Sequence, residues 1–247
     1  MTLSLAMRQS AVAHTALHQA NPLSAEQLES LISFVGEKSP ATALDIGCGP
    51  GAASIALCKR CDVSVLAIDI NDLFLERAGE SAQRESLAGS VIFHNTDPKD
   101  LDDSNYDAVI CLGSSHAIGS PREALAWCRS RLKPQGLVLF ADLVWKAAPS
   151  AQFTTFLGAD EAYYWHEGDA THVFREAGLG ILKTESASPA SWQAYESGIL
   201  QGRQVFATQL PADEATMVRA RALAWKEAFD EFGSKCLGFT AYVATEL

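Results

Sequence analysis

Residues 44–51 read Leu-Asp-Ile-Gly-Cys-Gly-Pro-Gly, and this stretch decides the fold. The apolar run ATALDIG over 41–47 predicts a short strand, and the small residues of 52–59 predict a helix. Between them the glycines alternate, which lets the backbone turn sharply and lets a ligand approach with no Cβ atoms in the way. Three spaced glycines exceed what a tight turn needs, so the loop points to a bound cofactor. It also fits the dinucleotide pattern G-x-G-x-x-G/A, with Gly47, Gly49 and Ala52 in register and Asp69 about twenty residues downstream as a ribose acceptor. The glycines alone leave the choice of cofactor open.

Outward from the loop, the same alternation repeats. Residues 63–69 (VSVLAID), 91–94, 106–112 and 136–142 read as strands, and 72–87 and 121–132 as helices. Upstream, Asn21-Pro22-Leu23-Ser24 is a helix start, followed by Leu28, Leu31, Ile32 and Val35 at helical spacing and Gly36 as a C-terminal cap. Strands alternating with helices need crossover connections, so residues 22–145 are expected to form the cofactor-binding core of a doubly wound, mostly parallel sheet with helices on both faces. Ligands of such sheets sit outside the carboxyl ends of the strands where strand order reverses, which directs attention to 45–51, 69–71, 96–98 and 112–116. Further on, 168–177 reads as a helix, 179–184 as a strand, 191–209 as mixed helix, 212–232 as a long helix stopped by Gly233, and 237–245 as a last strand. Residues 146–166 and 188–234 are then insertions beside the core, suited to form a substrate cover, within a single domain of 1–247.

Composition narrows the partners. With 247 residues, 48% of them hydrophobic, the chain has enough apolar material for one large core. A formal net charge of −11 opposes a phosphate backbone, so no nucleic-acid partner is expected. The first twenty residues hold one basic side chain, Arg8, and lack the apolar stretch of a signal peptide; no later segment offers a membrane span of ~18 apolar residues. The protein is therefore expected in the cytoplasm. Six irregularly spaced cysteines do not form a disulfide scaffold, and Cys58-Lys-Arg-Cys61 has no matching second pair, so no metal site is expected.

Charge favours one cofactor. Asp45 would sit poorly beside a dianionic pyrophosphate but suits a ligand carrying an ammonium and a sulfonium, as S-adenosylmethionine does. The ligand's own carboxylate would meet N–H groups around Gly51 and Ala52 at the next helix N-terminus. Here the sequence resembles the class I S-adenosylmethionine-dependent methyltransferases: LDIGCGPG is similar to that family's first motif, AIDIN at 67–71 to its second, and LKPQGLVLFAD at 132–142 to its strand after the fourth crossover. The spacing looks like the small-molecule enzymes related to the ubiquinone and menaquinone biosynthesis group. The resemblance implies a seven-stranded Rossmann-like sheet whose last strand, 237–245, is antiparallel.

Carried over by position, it implies that Gly47, Cys48, Gly49 and Gly51 pass close to the methionine portion while Asp45 helps to hold it. It implies that Asp69 accepts from the ribose hydroxyls, that Ile70 and Asn71 flank the adenine, and that Asp97 accepts from the adenine amino group. Leu112 and Gly113 would wall the other side. For Asp97, a turn role before Pro98 is an equal alternative.

Methyl transfer from a sulfonium has an activated leaving group, so alignment and desolvation supply much of the rate. If a base is used, the candidate is His116, beyond the fourth strand. The loop CLGSSHAIG lacks the Asn/Asp-Pro-Pro-aromatic motif of enzymes that methylate planar amino groups. Candidates for a substrate pocket are His18, Tyr163, Tyr164, Trp165, Trp192 and Tyr195, although aromatics equally bury for packing. The N-terminal segment with His14, His18 and Asn21 could lie over the pocket as a lid. The leading expectation is methyl transfer from S-adenosylmethionine to a small organic acceptor. The alternatives are a nicotinamide-dependent oxidoreductase on the same fold and a non-catalytic S-adenosylmethionine-binding protein.

Overall fold

The computed structural model describes residues 4–247. The chain runs α1 (Leu5–Ala13), α2 (Ala25–Gly36), β1 (Thr42–Ile46), α3 (Ala52–Arg60), β2 (Ser64–Asp69), α4 (Asp72–Gln83), β3 (Ser90–Asn95), β4 (Tyr106–Leu112), α5 (Pro121–Ser130) and β5 (Leu132–Trp145). It continues through α6 (Ala151–Leu157), α7 (Ala170–Glu176), β6 (Leu179–Ser186), α8 (Pro189–Ala207) and α9 (Ala212–Ala228) to β7 (Leu237–Glu246). The strands form one seven-stranded sheet in the order β3-β2-β1-β4-β5-β7-β6. Neighbours from β3 to β5 are parallel, and β7 runs antiparallel to both β5 and β6. The expected doubly wound sheet with an antiparallel last strand is therefore present.

Local chemistry explains the helix starts. Ser24 and Ser120 each accept the backbone N–H three residues on, while Gln27 and Glu123 return a hydrogen bond, so α2 and α5 begin in full capping boxes. Apolar residues of α2 and α3 cover one face of the sheet, around Ala43, Ala67, Ile110 and Leu139. Those of α5 and α7 cover the other, around Leu44, Ile68, Val109 and Phe140. The alternation of neighbouring strand residues between the two faces places the carboxyl ends of β1 and β4 side by side at one edge of both cores.

Several expectations need correction. Helix α4 stops at Gln83 rather than 87, because the N–H groups of Ala88 and Gly89 both turn back to the carbonyl of Cys58. Strand β5 extends well past 136–142, its end held by antiparallel pairing with β7 out to Trp145–Leu237. Helix α9 does not run unbroken to 232; it widens into a π-helical turn over Phe229–Gly233. Two helices were not anticipated, α6 within 146–166 and α1 at the N-terminus. α1 packs on α8, where Gly202 has no room for a Cβ: one would stand 2.4 Å from the Ala13 carbonyl oxygen.

Candidate functional site

From β1 the chain crosses outward to β2 and β3, and from β4 outward to β5, so strand order reverses between β1 and β4. A doubly wound sheet opens a crevice at such a point, and here its wall is the glycine loop. Gly47, Gly49 and Gly51 all have positive φ, at 61°, 52° and 81°, but the three are glycine for different reasons. A Cβ on Gly47 would lie 2.4 Å from Ser114 Cβ at the end of β4. One on Gly51 would lie 2.9 Å from Ala78 of α4 and 3.0 Å from the Phe93 ring, so this glycine serves helix packing. At Gly49 the nearest atom would be Ala20 Cβ at 3.7 Å, and the loop there faces the crevice.

Two carboxylates back the loop. Asp45 is only 2% exposed and accepts a hydrogen bond from Ser54 Oγ at 2.6 Å. Burial pushes its carboxyl up to about 7, with Ser54 opposing the rise and the nearby Asp69 charge adding to it. Asp69, at the end of β2, accepts the N–H of Gly49 through Oδ2 and of Asn71 through Oδ1, both at 2.9 Å. Burial raises its carboxyl as well, against those hydrogen bonds. Cys48 is buried between them, and burial followed by the two acids holds its thiol far from ionisation. Cys58 is likewise pushed up to about 12 by burial, so neither it nor its neighbour Cys61 is an activated thiol.

The remaining expected cofactor contacts divide. Ile70 is 49% exposed beside Asp69, as a surface for a flat ring requires. Leu112 lines the crevice opposite the loop, and Gly113, with φ 84°, donates to the Ala141 carbonyl. Asp97 uses Oδ1 to cap the turn Pro98–Asp100 through the Lys99 N–H at 2.9 Å. Asn71 is committed elsewhere: its Oδ1 accepts the Leu73 N–H at the start of α4, and its Nδ2 donates to the Met7 carbonyl of α1.

The crevice is roofed by the N-terminal segment that carries Asn21. Gln19 Nε2 donates to Asn21 Oδ1 at 3.1 Å and to the Leu23 carbonyl at 2.6 Å, and the Leu23 N–H also donates to Asn21 Oδ1. Arg77 of α4 clamps the segment from outside, donating to the carbonyls of His14 at 2.7 Å and Leu17 at 2.8 Å. Gln19, Ala20 and Asn21 thus close a slit of about 30 Å³ over Asp45, Gly47 and Gly49. Gln19 Oε1 is buried and has no partner among the described residues.

Donor and acceptor chemistry in the slit fits the methionine end of S-adenosylmethionine: an orphaned carbonyl oxygen and a buried carboxylate for an ammonium, and a second carboxylate placed for ribose.

Residues expected at a substrate pocket are dispersed. His116 is exposed on the turn Ser115–Ala117. Tyr163 reaches the Gly119 carbonyl with its hydroxyl at 3.3 Å, and Tyr164 stands edge-on to it and to Trp145. Trp165 is a correction: at 2% exposure it belongs to the core with Phe140, Phe174 and Tyr242, where the antiparallel β5–β7 pair draws it in. Trp192 lies flat on Phe229 at 5.6 Å and borders a separate cavity near the π-turn. Tyr195 donates to or accepts from His14 Nε2 at 3.1 Å, and His18 borders an outer groove between α3 and α4. The sequence reading missed Asp142. It ends the parallel part of β5, is 6% exposed, accepts the Leu143 N–H through Oδ1, and leaves Oδ2 without a partner among the described residues. Burial raises its carboxyl, and Ser115 and His116 act in the opposite sense, which places all three in one neighbourhood.

Comparison with known proteins agrees with this geometry. Residues 43–136 match a family model described as a methyltransferase domain. The ubiquinone biosynthesis O-methyltransferase of Methylococcus capsulatus is 31% identical over 130 residues, covering 51% of this chain and 52% of its own. Its counterpart from Burkholderia orbicola is 29% identical over 133 residues, covering 51% and 53%. The chain thus spans about half the length of the curated relatives it matches. A crystal structure of an S-adenosylmethionine-dependent methyltransferase from Thiobacillus denitrificans with S-adenosyl-L-homocysteine superposes with a TM-score of 0.88 at 22% identity, covering 100% of both chains. Residues 43–136 are thus similar to a methyltransferase domain, and the chain as a whole has the fold of a solved S-adenosylmethionine-dependent methyltransferase.

Proposed function

We propose that the protein transfers a methyl group from S-adenosylmethionine to an O, N or C atom of a small organic acceptor in the cytoplasm, with no nucleic-acid or membrane partner. The observation that carries this reading is that the glycine slit is lined by a buried carboxylate, Asp45, and by Gln19, whose Oε1 is buried without a partner among the described residues. Both want a cationic donor, and a pyrophosphate there would meet acceptors only. That argues against the nicotinamide alternative, as do the methyltransferase relatives. Among the described residues no helix is long and apolar enough to cross a membrane.

The bound ligand supplies an electrophilic methyl on a sulfonium. This chain's residues supply position. Asp45 and Gln19 Oε1 hold the ammonium, Asp69 the ribose and Ile70 the ring face, while Leu112 and Gly113 border the opposite wall. His116 is the residue we assign to take the acceptor's proton, on the turn Ser115–Ala117 beside Asp142. Residues 146–166 and 188–234 serve as the substrate cover in this reading. Calorimetric titration of the full chain with S-adenosylhomocysteine, NAD and NADP tests it: saturable binding of the first alone is expected, and binding of NAD without it overturns the reading. Turnover of labelled methyl donor against an acceptor panel separates an enzyme from a non-catalytic binder, and full turnover in His116→Ala removes the base.

A further inference from the structure

A second cavity, of about 460 Å³, lies between α1, α6 and the α8–α9 pair, within the size range of small-ligand pockets. Its charge is unlike that of the rest of the molecule. In a protein of net charge −11, this wall carries two arginines, Arg203 of α8 and Arg221 of α9, and no acid. Among the described residues neither guanidinium lies within salt-bridge distance of a carboxylate. Arg203 is half-buried; its desolvation is opposed by the Glu196 charge and by Tyr195, while Arg221 repels it. A half-buried guanidinium beside an exposed one, neither bridged to an acid, is an arrangement that an anion would complete.

The lining also includes an aromatic pair. Phe156 of α6 and Trp225 of α9 stack at 6.1 Å, and the Trp225 ring is fixed because its Nε1 donates to Glu196 Oε2 at 2.7 Å. His14 closes the floor with both ring nitrogens engaged, by the Ser10 carbonyl at 2.7 Å and the Tyr195 hydroxyl at 3.1 Å. Burial lowers its pKa, so at neutral pH it adds no charge. We infer that this cavity binds a small aromatic oxyanion, a carboxylate or a phosphate ester, with its charged end on Arg203 and Arg221 and its ring against Phe156 and Trp225. A sulfonium ligand is repelled by the same two cations, so the occupant is a different molecule from the methyl donor. The floor of this cavity and the roof of the glycine slit are parts of one segment, residues 13–21. On the methyltransferase reading above, the occupant is therefore the anionic end of the acceptor.

Binding tests this without turnover. Benzoate, phenyl phosphate and neutral benzamide are titrated into the full chain by calorimetry or ligand-observed NMR, and S-adenosylhomocysteine is titrated separately. One of the two anions is expected to bind at least about tenfold more tightly than benzamide, with an advantage that shrinks as salt rises. Whichever anion binds identifies the carboxylate or the phosphate form. Arg221→Gln, on the exposed side, should weaken the anion severalfold, and Arg203→Gln about tenfold or more, with Arg203→Lys recovering part of the loss. Equal affinity for the anions and benzamide, absence of binding by either anion at 10-millimolar order, or unchanged anion affinity in both glutamine variants overturns the assignment; the comparison of ligands needs no variant to fold. Anion binding without any binding of S-adenosylhomocysteine supports this site while sinking the methyltransferase reading.

Discussion

The glycine slit and the arginine cavity are built by opposite means. The slit is mostly backbone: positive φ at Gly47 and Gly49, a carboxylate that receives two N–H groups, and parallel strands that fix their distance. The cavity is made of side chains from four helices that are distant in the chain. Backbone geometry is written in short motifs and tolerates little change. A wall of side chains can be exchanged residue by residue, which suits a site whose ligand differs among proteins sharing one sheet. On the two proposals above, one half of this molecule specifies a shared donor and the other half a particular acceptor.

The contrast breaks most severely at Gly47. Gly47→Ala places a Cβ 2.4 Å from Ser114 Cβ at φ 61°, so denaturant unfolding should show a loss of about 2–5 kcal/mol together with loss of S-adenosylhomocysteine binding. Gly49→Ala has open space before it and should cost only about 1–2 kcal/mol, chiefly through its φ. Next in size, Asp69→Ala should weaken S-adenosylhomocysteine by roughly ten- to a hundredfold in calorimetry, because a buried acceptor is lost while the fold keeps its other hydrogen bonds. Equal affinity would mean that the ribose lies elsewhere.

A smaller effect follows from Asp45. Its folded carboxyl titrates near 7, above its ordinary value, so below that pH the free protein holds it neutral. A ligand ammonium binds the ionised form, so binding at lower pH must first expel a proton. Affinity for S-adenosylhomocysteine is therefore expected to fall about tenfold per unit as pH drops below 7 and to level off above it. Asp45→Asn should flatten that slope. The smallest expected effect sharpens the role of the roof: Arg77→Ala removes two hydrogen bonds to the carbonyls of His14 and Leu17. Amide exchange over residues 14–23 should quicken about fivefold, while strands β1 and β4 keep their protection.

Much of the first region was legible. Asp45, Gly47, Gly49 and Asp69 were readable because each depends on local spacing and on a strand-to-helix turn that only glycines make cheaply. The three glycines nevertheless looked alike in sequence, and only the neighbours Ser114, Ala20 and Phe93 show that they answer to different constraints. Asn71 read as a cofactor residue because of its position after β2, yet its amide is spent on α4 and on α1, a helix without a periodic signal strong enough to announce it. Trp165 read as a pocket aromatic because exposure is not encoded in residue type. Asp142 closes the quoted stretch LKPQGLVLFAD but was given no role of its own, and the pair Arg203 and Arg221 carried no motif.

The sequence by itself determined the alternation of strands and helices, the position of the cofactor turn, and the charge that favours a cationic ligand there. These are near-neighbour properties, set by periodicity of 2 or 3.6 residues and by which residue can adopt positive φ. Tertiary structure alone decided which acid stays buried, which atoms of the N-terminal segment close the slit, and that two arginines from separate helices face one cavity. Those outcomes depend on contacts between residues as far apart as His14 and Tyr195, whose meeting follows from how helices pack on the finished sheet.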